Sequence, residues 1–139
     1  MSYAYAGGLQ ARVYQRLIED PALSALIGGA VYDAPLEPAL AAAGPDYVTL
    51  GEETVRPNGT KTSGGAIHDF TVTVHSGHDG FAAAKEIAAA VCDCLIDAPL
   101  ALDAGRLISL SFLRAGAERG RAPAKRKVML RFRAVVDQD

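Results

Sequence analysis

Asp46-Tyr-Val-Thr-Leu-Gly-Glu52, a polar Gly-rich interruption, and then His68-Asp-Phe-Thr-Val-Thr-Val-His75 decide how this chain is read. In the second stretch Phe70, Val72 and Val74 alternate with Thr71, Thr73 and His75, the period of a strand with one apolar and one polar face. Tyr47 to Glu52 is a strand of the same kind. Between them, Glu53 to Ala66 carries Pro57, Asn58-Gly59 and Gly64-Gly65. That composition predicts a long polar loop, flexible over about 53–66.

Downstream, Asp79 is positioned to cap a helix from Gly80 to about Asp97. Its apolar stripe is Phe81, Ala84, Ile87, Ala88, Val91 and Leu95. Arg106 to Arg114 reads as a strand with Ile108, Leu110 and Phe112 inward. Lys127 to Val136 reads as another, with Val128, Leu130, Phe132 and Ala134 inward. The basic segment Ala115 to Arg126 is a loop between them. Upstream, Leu9, Val13 and Leu17 mark an amphipathic helix over roughly 4–19. Asp20-Pro21 then caps and opens a short helix, Ala22 to Ile27, which Gly28-Gly29 ends. Val31-Tyr32 is a brief strand, and Leu36 to Pro45 a Pro/Ala-rich loop. The order is α-α-β-β-β-α-β-β, with one long helix available as a crossover. It predicts an α+β fold, a mainly antiparallel sheet with helices packed on it, in one domain spanning 1–139.

The chain has 139 residues, half of them hydrophobic, with no Trp. That is enough for a core built from small and aliphatic side chains. The net charge of −2 gives no general case for nucleic-acid or membrane-surface binding. Cys92 and Cys94, two apart on a helix, point away from each other and read as ordinary thiols of a reducing compartment. The N-terminus carries no signal-peptide pattern and no apolar run is long enough to span a bilayer, so a soluble protein made in the cytoplasm is expected.

No arrangement of residues reads as an active site. His68 and His75 fall on opposite faces of one strand and cannot share an ion. His75, His78 and Asp79 are the nearest approach to a metal-dependent site, yet they read more simply as a polar turn. Gly59-Thr-Lys-Thr62 lacks the spacing and the following helix of a phosphate-binding loop. No Ser lies in a nucleophile elbow. Neither a cofactor nor catalysis is expected.

Charge distribution is the unusual feature. From Arg106 to Arg133 there are nine Lys/Arg and one acid, Glu118. The candidate contact residues are therefore Arg114, Arg119, Arg121, Lys125, Arg126, Arg131 and Arg133. Glu52, Glu53, Arg56 and Lys61, at the start of the polar loop and within it, are the other candidate contact residues. The basic cluster reads either as a solvated surface or as a patch meeting acidic protein or phosphate. Without interleaved aromatics, any DNA contact is nonspecific.

Several motifs in order carry a resemblance. They are Asp20-Pro-Ala-Leu23, Leu26-Ile-Gly-Gly-Ala-Val-Tyr-Asp33, Pro45-Asp-Tyr-Val-Thr-Leu-Gly-Glu52, His68-Asp-Phe-Thr-Val-Thr-Val74, Gly80-Phe-Ala-Ala-Ala-Lys85, Gly105-Arg-Leu107 and Leu130-Arg-Phe-Arg133. Together they resemble the DUF3168 family, tail-completion proteins of siphophage-like particles and gene transfer agents, especially those of alphaproteobacteria. The resemblance implies a tail terminator that forms a ring, typically a hexamer. Such a ring caps the tail tube, offers the head-joining surface to a connector or stopper protein, and passes DNA through its lumen. It implies assembly in the cytoplasm and then a place at the head-proximal end of the tail, with no membrane partner. It carries no catalytic residues. The competing readings are a head–tail connector or adaptor of the same particle, a small metal-dependent enzyme and a nonspecific DNA-binding module.

Overall fold

The computed structural model describes residues 3–35, 37, 46–58 and 64–138. Helix α1, Ala6–Glu19, buries Leu9, Val13 and Leu17, the stripe set by its four-residue spacing. The chain turns at Asp20, whose carboxylate accepts a 2.9 Å bond from the Leu23 amide. Pro21 opens helix α2, Pro21–Ile27, and Gly28 closes it at φ 63°, where a side chain would be strained. Strand β1, Val31–Tyr32, follows, then β2, Asp46–Pro57, and β3, Ala66–Ser76. Helix α3, Ala82–Leu95, leads to β4, Arg106–Arg119, and β5, Arg126–Asp137.

The five strands form one sheet in the order β1-β2-β3-β5-β4. β1 runs parallel to β2, and every other neighbouring pair is antiparallel. α3 carries the chain from β3 to the far edge, and β5 returns between them. The fold is α+β with the element order read from the sequence.

The three described helices lie on one face and share a core with it. Leu23 of α2 and Ala84, Ile87, Ala88, Val91 and Leu95 of α3 meet Val72, Val74, Leu130 and Phe132. The alanines let the helix axis approach the sheet, and each fully buried Leu or Phe contributes about 1.5–3 kcal/mol. β3 alternates buried and half-buried without a break. Its inward residues include Phe70, Val72 and Val74, as expected.

Four expectations are corrected. The loop placed at 53–66 is narrower, because β2 continues through Glu53, Thr54, Val55 and Arg56 to Pro57, opposite Ala66–Phe70. A register shift between Leu50 and Glu53 breaks the period there and hid the continuation. The segment 59–63, and with it Lys61, lies outside the described residues, as do 36 and 38–45 of the expected Pro/Ala-rich loop. Likewise β4 runs on to Arg119, so the basic loop shrinks to the turn of a long hairpin.

Asp79 does not cap α3. The N-cap is Phe81, which leaves the expected stripe, and Asp79 instead meets Lys125 Nζ at 3.0 Å. Of the three residues expected inward on β4, only Leu110 is buried. Ile108 is 46% exposed and Phe112 42%. Register shifts at Leu107/Ser109 and Phe112/Arg114 disturb the alternation, and the helices do not reach over this strand's second half.

Candidate assembly surface

No described helix or strand covers the face of the sheet opposite the helices. Its outward rows are Tyr47, Thr49, Thr54 and Arg56 on β2, and Asp69, Thr71, Thr73 and His75 on β3. Lys127, Met129, Arg131 and Arg133 line β5, and Ser111, Arg114, Gly116 and Glu118 line β4. The pleat makes this inevitable, since the partners of these residues along each strand are the core.

Within this face some charges are already satisfied. Arg133 donates to both carboxylate oxygens of Asp69, at 2.8 and 3.0 Å. That bidentate bond, with Arg131 and Arg56 nearby, holds the Asp69 carboxyl below the usual carboxylate range despite partial burial. Arg131 donates to Thr71 Oγ1 at 2.8 Å and Thr54 Oγ1 at 3.3 Å. Lys127 pairs with Glu118 at 3.3 Å. His75 stacks on Tyr47 with ring centroids 4.6 Å apart and lies 2.9 Å from Thr49 Oγ1. Burial, helped by Lys127, pushes its pKa down to about 4, so the ring is neutral at physiological pH.

The candidate residues separate into groups. Arg114, Arg119 and Arg121 are exposed. Arg56 is exposed near Asp69, and Glu52 is exposed at the β2 register shift. Glu53 instead accepts a hydrogen bond from the Tyr3 hydroxyl. Lys125 and Arg126 are occupied at the hairpin end: Lys125 on Asp79, Arg126 over the Phe81 ring at 5.2 Å. The basic run of sequence is therefore one outward row plus a pinned turn, not a single patch.

Sequence reasoning missed the edges. β4 is the last strand on one side, exposed on both faces beyond Leu110. On its helical side a groove of about 340 Å³ is lined by Ala88, Ala89, Cys92, Phe112, Ala115, Ala117, Val128 and Leu130. On the opposite edge β1 covers β2 only at Val48 and Thr49, leaving β2 open from Leu50 among the described residues. The signal available in sequence was Phe112-Leu113 beside Ala-Gly-Ala, too apolar for a solvated edge.

The residues weighed for chemistry disperse. His78 Nε2 meets Asp46 at 3.2 Å, Asp79 meets Lys125, and His75 lies under Tyr47. Among the described residues no cluster of His, Cys, Asp or Glu is arranged to hold a metal ion. His68 is buried on the helical side, and burial lowers its pKa. Burial raises the pKa of both Cys92 and Cys94, the behaviour of unreactive thiols. Among the described residues no helix is long and apolar enough to cross a membrane.

No curated protein matches the chain. A solved structure described as the virion of a native gene transfer agent (GTA) particle contains a chain of 49% identity. It aligns over 97% of this chain and 98% of that one with a TM-score of 0.86. The family model described as tail completion protein gp17 matches residues 11–137. An open-faced, open-edged domain with this likeness belongs to that family, the tail-completion proteins of phage-like particles.

Proposed function

We propose that the protein is a structural tail terminator that assembles into a hexameric ring on the growing end of a tail tube. The ring caps the tube, presents the surface that a head–tail connector or stopper protein joins, and lets DNA pass through its centre. It does no covalent chemistry and acts by fit. It assembles in the cytoplasm and stays at the head-proximal end of the tail.

One observation carries this reading. Every described helix lies on one face of the sheet, and the other face, which no described helix or strand covers, is rich in Arg, Lys and Thr. A ring is wider outside than inside, which suits the helical layer on the outer circumference and the open face toward the lumen. There Arg114 and Arg131 supply positive charge without base-reading groups, suited to a passing phosphate backbone.

Electron microscopy of the purified protein, alone and added to tail tubes from particles lacking it, tests the reading. Rings with an open centre seated at tube ends are expected. Single subunits that leave the tube ends uncapped would refute it.

A further inference from the structure

We infer that neighbouring subunits join edge to edge, the open half of β4 on one copy pairing antiparallel with the open part of β2 on the next. The inference deepens the ring reading and rests on it. Unlike that reading, it names the two surfaces in contact and the direction of the strands.

Both edges present unpaired backbone. On β4 the Asp97 amide donates to the Leu110 carbonyl at 2.9 Å, so the α3–β4 connection closes the edge there. Beyond Leu110, no described strand flanks β4 on its outer side as far as Arg119. On β2 the parallel strand β1 stops at Tyr32, opposite Thr49, and the outer side from Leu50 to Pro57 carries no described strand. A long edge with apolar side chains is a template for another strand, and monomeric proteins blunt such edges. On this edge Phe112 and Leu113 are exposed, and Ala115, Gly116 and Ala117 after them carry no charge.

Strand direction makes the two edges compatible. β2, β3, β5 and β4 alternate in direction across the sheet. A second copy set beside the first in the same orientation therefore offers a β2 that runs opposite to β4, and the antiparallel ladder continues across the boundary. Because the edges differ, the contact is head-to-tail, which closes into a ring when the rotation per subunit divides the circle.

Charge complements the geometry. Glu52 on the β2 edge and Arg114 on β4 are exposed, and neither is in an ion pair among the described residues. Both border the groove on the helix-free face that Thr71 and Arg131 also line. In the joined sheet the Glu52 of one copy meets the Arg114 of the next on that same face. The occupant of the β4 edge is thus a second copy of this chain.

The test uses full-length protein, wild type and variants, with assembly followed by sedimentation and native mass spectrometry, alone and on tail tubes. Arg114→Glu and Glu52→Arg are each expected to weaken the contact about tenfold. An equimolar mixture of the two regains wild-type assembly, because alternating copies restore opposite charges at every boundary. The double variant in one chain regains it as well. Leu113→Asp blocks the apolar edge and is not restored by either partner; unchanged circular dichroism certifies its fold. Restoration by the double variant but not by the mixture would overturn the proposal, placing the attraction within one subunit. Wild-type rings unaffected by all the variants would overturn the edge assignment and leave the ring standing. A wild type that stays single even on tubes removes the ring reading itself.

Discussion

Strands β3 and β4 share one sheet yet obey different rules. β3, the central strand of the five, has each residue assigned to the core or to the open face, and burial alternates without exception. β4 is longer, but of its residues only Leu110 is buried. The first pattern is complete within the subunit. The second makes sense only with something beside it, and the contrast teaches where folding stops and assembly begins.

The sharpest way to break the comparison is a pair of phenylalanines. Phe132 on β5 is fully buried and in ring contact with both Phe70 and Phe112. Phe132→Ala should cost about 3–5 kcal/mol in chemical denaturation of the subunit. Phe112 lies directly opposite on β4 but is 42% exposed. If Phe112→Ser cost as much as Phe132→Ala, β4 would be core and the distinction would fail.

Next in size is a pH effect that belongs to the satisfied part of the open face. His75 stays neutral down to about pH 4, while the unfolded chain protonates its His near pH 6.5. Between those values the unfolded state binds more protons, so stability is full above pH 6.5 and falls as pH drops toward 4. With discounting for its partly open position, the loss is about 1–2 kcal/mol. His75→Phe, which preserves the stack on Tyr47, should reduce the slope of stability between pH 4 and 6.5, leaving the part owed to buried His68; an unchanged slope would refute the assignment.

A further acid-side effect belongs to Asp69. Its lowered pKa means that the Arg133 contact stabilises above the unfolded carboxylate range and is lost as pH falls through the folded value. Asp69→Asn should remove that acid-side slope in thermal melts while leaving the alternation of β3 intact. The smallest expected effect on the subunit is that of Phe112→Ser, about 1 kcal/mol in denaturation, from the lost edge contact with the Phe132 ring. Its measurable consequence should appear instead as weaker assembly in sedimentation.

Much of this was legible in the residues. Asp20-Pro21 and Gly28 fix the helical corner by local chemistry, and the alternation of Phe70, Val72 and Val74 needs only a sheet with one covered face. The continuation of β2 was hidden because the register shift at Gly51-Glu52 places two residues where the period allows one. Ala115-Gly-Ala-Glu-Arg119 has little strand preference of its own and extends because β5 holds it from Arg126 to Leu130. The basic run was visible as charge, but its division was not. Only the pairing of strands shows that Arg133 is held by Asp69 while Arg114 makes no ion pair among the described residues.

At its far end the β4–β5 hairpin is fastened to the body of the subunit. The Lys125 amide donates to the Ser76 carbonyl at 2.8 Å, its ammonium reaches Asp79, and Arg126 rests on Phe81 just ahead of α3. These ties keep the tip from swinging, so the strand is held in shape before any neighbour arrives. A surface fixed in advance surrenders little conformational freedom on docking, and small charge differences along it are then enough to select a partner.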